Sequence, residues 1–121
     1  MDLGIKGRTA IVCASSKGIG RGCAMALAEA GVDLIVNGRD AERLARTADE
    51  IRSAHGVSVT EVAGDVSLPE VQTKLLAAAP VIDILVNNNG GPPRRDFREL
   101  DRKAIMDGVI GNMITPIELI K

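Results

Sequence analysis

Apolar and polar positions alternate in two distinct patterns along the chain. Ala10, Ile11 and Val12 form a short unbroken apolar run, as do Leu34, Ile35 and Val36 and, later, Ile84, Leu85 and Val86. Runs this short, bounded by turn residues, predict strands over about 8–13, 32–37 and 81–86, the first of them buried. Residues 57–63 instead alternate with period two and are rich in β-branched side chains, which predicts a third strand nearer the sheet edge. Helices fill the gaps. One spans about 19–30 and ends at Gly31. One spans 41–55, with Asp40 as its cap, Leu44, Ala48 and Ile51 at helical spacing, and Gly56 as its stop. A third, about 68–79, is opened by Ser67, carries Pro69 in its first turn and cannot pass Pro80. From Asp101 onward Ile105, Val109, Asn112, Met113 and Ile117 keep helical spacing, so one helix is expected to the end of the chain. The order β-α-β-α-β-α-β-α predicts a parallel sheet with crossover helices on both faces, a doubly wound Rossmann-like α/β domain.

Composition narrows what such a domain can do. The 121 residues suffice for one domain and one core, and a formal net charge of −1 gives no nucleic-acid signal. No apolar run approaches the roughly 20 residues of a membrane span. Residues 1–6 lack the charged and apolar regions of a signal peptide, so a cytoplasmic location is expected. Cys13 and Cys23 have no CxxC spacing, and the single histidine, His55, is remote in sequence; two small hydrophobes in a reducing compartment are expected, with no metal. There is no Tyr and no Trp, and Phe97 is the sole aromatic residue. A mechanism that needs a tyrosine acid or base is therefore excluded for this chain on its own.

The stretch from Ala10 to Gly22 carries the first candidate chemistry. A buried strand passes through Cys13, Ala14, Ser15, Ser16 and Lys17 into Gly18-Ile19-Gly20 and a small-residue helix. A strand that turns tightly into a helix gathers free backbone N–H groups and the positive end of the helix dipole at one spot, which suits a pyrophosphate.

Several further elements follow in order: Asn37-Gly38-Arg39 after the second strand, Gly64-Asp65-Val66 after the third, Asn87-Asn88-Asn89-Gly90 after the fourth, and Asn112 in the last helix. With the glycine turn they make the whole chain resemble the N-terminal half of a short-chain dehydrogenase/reductase. The family turn reads Thr-Gly-x-x-x-Gly-x-Gly. Here Cys13 and Ala14 replace its first two residues, and Asn89 stands where the family has Ala. Ala14 is a mild change if its φ is negative and a costly one if φ is positive.

The resemblance implies the strand order 3-2-1-4, with the last strand an uncovered edge of the sheet, and a dinucleotide held by Ala14, Ser15, Ser16, Lys17, Gly18, Ile19, Gly20, Asn37, Arg39, Asp65, Val66, Asn87, Asn88, Asn89 and Gly90. Gly38 replaces the acid that would accept from the adenosine ribose, and it leaves room there. Arg39 and Lys17 can then pair with a 2′-phosphate, which implies NADP(H) in preference to NAD(H). Solvated surface cations are the plain alternative for both. Asp65 and Val66 suit adenine, or a strand-end turn; the asparagine run suits the cofactor mouth, or a plain turn. Asn112 is the implied catalytic member, holding a water toward an active-site lysine, or else a hydrogen-bonded core amide.

Family chemistry is hydride transfer between nicotinamide and a carbonyl or alcohol. Its Ser, Tyr and Lys lie beyond residue 121, so the chain is expected to be the incomplete part of a parent about twice as long, without turnover of its own. The stretch 87–93 resembles 3-oxoacyl-carrier-protein reductase-like members. The expected partners are the dinucleotide, a small carbonyl substrate and further copies, as a homodimer or homotetramer, with neither nucleic acid nor membrane. Two other functions fit the same residues: a non-catalytic nucleotide-binding module, and a structural half-domain that docks a partner through its last helix.

Overall fold

The computed structural model describes residues 1–91 and 94–121; Pro92 and Pro93, the end of the expected loop 87–93, lie outside the described residues. Among these residues four parallel strands, β1 (Thr9–Val12), β2 (Asp33–Gly38), β3 (Val59–Ala63) and β4 (Ile84–Val86), form one sheet in the order β3-β2-β1-β4. Among the described residues five α-helices accompany them: α1 (Gly18–Glu29), α2 (Ala41–His55), α3 (Pro69–Ala77), α4 (Arg102–Val109) and α5 (Thr115–Ile120). A short 3₁₀ turn spans Phe97–Glu99.

The unbroken apolar runs are explained by a core on each face of the sheet. Ala10, Val12, Leu34 and Val36 point to one face and meet Ala24 and Ala28 of α1 and Leu44, Ala48 and Ile51 of α2. Ile11, Cys13, Ile35 and Val62 point to the other and meet Val71 and Leu75 of α3 and Leu119 of α5. Alternate side chains of one strand thus feed different cores, and neither face can be polar. Ile11, Leu44, Ile51 and Leu75 are all at most 1% exposed, and burial of each stabilises the fold by about 1.5–3 kcal/mol. Burial also pushes the Cys13 thiol up to about 11, so it stays an inert thiol in the core.

The caps of α2 are those expected. Asp40 accepts from the N–H groups of Glu42 and Arg43 at 3.0 and 3.2 Å, and Gly56 closes the helix at φ 67°. Several boundaries differ from the sequence pattern. The third strand begins at Val59, two residues after the predicted start. The fourth strand is three residues long, because β1 begins at Thr9 and the Thr9 N–H is taken by the Asp83 carboxylate at 2.9 Å. The third helix starts at Pro69, because the Ser67 hydroxyl turns back to Asp65 rather than forward to cap it.

The largest difference is at the end. The single expected helix is divided by a π-helical turn over Ile110–Ile114. Pro116 has no N–H for the carbonyl of Asn112, and the turn widens there to re-route its hydrogen bonds. The extra residue shifts which side chains face the sheet. Ile105, Met113 and Ile117, which keep helical spacing in the sequence, are 51–57% exposed, while Gly111, Thr115 and Leu119 turn inward.

Candidate cofactor-binding site

The candidate site lies at the C-terminal ends of β1, β2 and β3, where loops leave the sheet. Its centre is the turn between β1 and α1. Ala14 occupies it at φ 47°, the one non-glycine residue of positive φ among the described residues. That resolves the question its sequence posed: this position needs the left-handed region, and Ala pays strain of about 1–2 kcal/mol to stand there.

Asn37 holds the strained turn. Buried at the end of β2, it accepts the Ala14 N–H at 3.1 Å and donates to the carbonyls of Val62 and Gly64 at 3.0 and 3.1 Å. One amide therefore joins the ends of β1, β2 and β3. Ser15 does related work from inside. Its fully buried hydroxyl donates to the Val12 carbonyl at 2.8 Å and accepts the Asn37 N–H at 3.0 Å. Ser15 supports the turn from beneath, and its side chain does not face the crevice. Thr47 of α2 donates to the Ser16 carbonyl at 2.9 Å.

Across the turn, Gly20 must be a glycine. A Cβ there would stand 2.1 Å from the Ala14 oxygen and 2.9 Å from Asn88 Nδ2. Asn88 donates to that same Ala14 oxygen at 3.2 Å, so the loop after β4 is tied to the turn after β1. Gly18, at φ 61°, and the 80% exposed Ile19 open the helix. Lys17 precedes them in extended backbone; α1 has neither a side-chain cap nor an acid in its first turn. The first amides of α1 are thus free for an external anion.

Around this turn one crevice brings together Ala14, Ser16 and Lys17 from β1–α1, Asn37, Gly38 and Arg39 from β2, Gly64, Asp65 and Val66 from β3, and Asn89 and Gly90 from β4. Arg39 reaches across it, with Nη2 3.8 Å from where a Cβ of Gly90 would be. Asp65 accepts from the hydroxyl and N–H of Ser67 at 2.7 and 2.9 Å. Those two bonds hold its carboxyl below the usual carboxylate range, helped by the nearby Arg39.

Gly38 lines this crevice without a side chain of its own. A Cβ at Gly38 would stand 2.9 Å from Ser16 Oγ and 3.0 Å from Ser16 Cβ, so packing against the turn already disfavours any side chain there.

The other predicted residues sit apart from this crevice. Asn87 is exposed at the end of β4 and lines a separate cleft with Asn88, Asn89, Gly111, Asn112 and Pro116. Asn112 is likewise exposed, so it is no core amide; its Nδ2 donates to the Gly108 carbonyl at 3.2 Å. Asn89 lines both spaces.

Sequence reasoning missed the far wall. Ser67, Lys103 and Asp107 line a cleft of about 380 Å³ that continues from Arg39 and Asp65, with Lys103 Nζ 2.6 Å from Asp107 Oδ2. Ser67 and Thr47 carried detectable signals, a hydroxyl two residues past an acid and a polar residue on the apolar face of α2. The Lys103–Asp107 spacing looks like any exposed helix pair.

A parallel sheet with a glycine turn at the carboxyl end of its first strand is the geometry of a dinucleotide-binding domain. The model of the short chain dehydrogenase family matches residues 8–121, and the chain belongs to that family. It is 42% identical over 91 residues to the uncharacterized oxidoreductase YvaG of Bacillus subtilis, covering 74% of this chain and 34% of that protein. It is 35% identical over 95 residues to the 3-oxoacyl-[acyl-carrier-protein] reductase FabG of Aquifex aeolicus, covering 74% and 38%. Among solved structures, the L-sorbose reductase of Gluconobacter frateurii, complexed with NADPH and L-sorbose, superposes with a TM-score of 0.93 at 30% identity, covering 98% of this chain and 47% of that one. The chain spans between a third and a half of the length of these relatives. Among the described residues, no helix is long and apolar enough to cross a membrane.

Proposed function

We propose that this chain supplies the cofactor-holding part of an NADP(H)-dependent oxidoreductase acting on a carbonyl or alcohol. The observation that carries the reading is the crevice itself: uncapped amides of α1 beside Lys17 and Arg39, with no acid at the end of β2. The amides fit a pyrophosphate, and the two cations fit a further phosphate on the ribose. Asp65, ionised through the neutral range, accepts from an adenine amino group, with Val66 beside it. Gly18, Ile19, Gly20 and Asn88 shape the turn, while Asn87, Asn89, Gly90 and Asn112 border the nicotinamide end. The bound dinucleotide supplies hydride; this chain binds and orients it.

The relatives support a carbonyl substrate and differ among themselves. One reduces a 3-oxoacyl carrier protein and another structure holds L-sorbose, so a 3-oxoacyl thioester is one member of the proposed range. Exposure of Met113, Ile117 and Ile120 at 57–71% favours a second role for the last helix, docking further copies as a homodimer or homotetramer.

Titration of the chain with NADPH and NADH, followed by nicotinamide fluorescence, tests the reading. NADPH is expected to bind about tenfold or more tightly than NADH. No binding of either at millimolar concentration overturns it.

A further inference from the structure

We infer that Asn89 is a positioning residue, the hydrogen-bond donor that the π-turn lacks, and that it thereby holds Asn112 in the cleft adjoining the cofactor crevice. The inference rests on the reading of Asn112 as a site residue, but its structural basis is independent of any cofactor.

In an α-helix the carbonyl of Gly111 would receive the N–H of Thr115. Here that N–H goes to Ile110, one residue further back. The next amide in the wider π register would come from residue 116, which is Pro116 and has none. The Gly111 carbonyl is thus left without either helical donor, at a buried position where an unmet acceptor costs stability. Asn89 Nδ2 donates to it at 3.1 Å. The same side chain is braced at its other end, where Oδ1 accepts the Gly90 N–H at 2.8 Å. Gly111 allows the approach, since a Cβ there would lie 3.1 Å from Asn89 Nδ2.

The consequence follows from where Asn89 stands. It borders the crevice of Lys17 and Arg39 on one side and the cleft of Asn112 and Pro116 on the other. One rotamer therefore links the loop after β4 to the residue that follows Gly111. A displacement of that loop is carried to Asn112 through a single hydrogen bond.

The test compares Asn89→Ala and Asn89→Asp, the latter of the same shape but without the donor, in the full chain and in a Pro116→Ala background that restores an N–H at position 116. Amide hydrogen exchange over 111–116 and the side-chain amide signals of Asn112 are the readouts, with the amides of Ile11 and Val12 as the control for global folding. Both Asn89 variants are expected to speed exchange over 111–116 about tenfold and to move the Asn112 signals, with the β1 amides unchanged. In the Pro116→Ala background the effect of Asn89→Ala falls to twofold or less. An equal effect in both backgrounds, or none in the parent chain, overturns the inference. Pro116→Ala alone is the second probe: it is expected to shift the Asn112 signals as the turn tightens, and unchanged signals count against the inference even if the Asn89 variants do not fold. NADPH titration of the same samples keeps the two readings separate, because failure to bind leaves the exchange result standing.

Discussion

Asn37 Oδ1 accepts the N–H of Ala14 at 3.1 Å, and this bond pins a residue whose backbone stands at φ 47°. The two residues are 23 apart in sequence. The strained turn is held by the sheet, not by its own local preference.

Ala14→Gly is therefore expected to stabilise the chain. Removing the left-handed penalty gains about 1–2 kcal/mol, and the looser unfolded chain returns about 0.4–1 kcal/mol of it. A net rise of about 2–4 °C in Tm is expected by thermal melting. A fall in Tm would show that the turn is relaxed with Ala.

Asn37→Ala removes three hydrogen bonds at once, to Ala14, Val62 and Gly64. At about 1 kcal/mol each, the expected loss is about 3 kcal/mol in a urea melt. A loss below about 1 kcal/mol would mean that water replaces the amide.

Gly20→Ala drives a Cβ into the Ala14 carbonyl, where backbone and not a flexible side chain must yield. Destabilisation of about 2–3 kcal/mol is expected, together with loss of NADPH binding by fluorescence titration. Full retention of both would show that the α1–turn contact is loose.

Arg39→Ala separates the two cofactors. NADPH affinity is expected to fall about 10–100-fold and NADH affinity to change less than about threefold, because only the former carries the extra phosphate. Equal losses would place Arg39 on the shared part of the dinucleotide.

Ser67 and Asp65 give a pH signature. The folded-state carboxyl of Asp65 is held below its ordinary value, chiefly by the Ser67 hydroxyl. A depressed pKa stabilises the fold above the unfolded value and loses that stabilisation as pH falls through the folded one. Ser67→Ala is expected to cost about 1 kcal/mol at neutral pH, and the gap to close on acidification below the ordinary carboxylate range, as read by urea melts. A gap independent of pH would mean that the hydroxyl acts only by packing.

The architecture was legible because each apolar run in this chain has a single use. Ala10 to Val12 and Leu34 to Val36 serve two cores at once, and no helix of that length could. Asp40 and Gly56 are capping residues whose chemistry is local, and both act as expected. The site was legible where a backbone requirement shows through residue type, as at Gly18 and Gly20. It was hidden where a residue acts through geometry that composition does not record. Ala14 could be read either way until its φ was known, and Ser15 gives no sign in sequence that it is buried. Pro116 did carry a signal, a missing N–H within a helical pattern, and that signal marks the π-turn. Periodicity alone passed over it, so one unbroken helix was expected where a π-turn divides two.

The strand order also sets a timetable. β1 pairs with β2 on one side, Ala10 beside Leu34, and with β4 on the other, Ala10 beside Ile84. During synthesis the first partner emerges about 50 residues before the second, an interval of about 3–10 s at ordinary elongation rates. For that time β1 is an edge, and the buried face shared by Ile11 and Cys13 lacks its β4 neighbour. The turn at Ala14 receives its Asn37 brace early and its Asn88 tie late, so the phosphate grip is assembled in two instalments, and the second waits on the slow, long-range closure of the sheet.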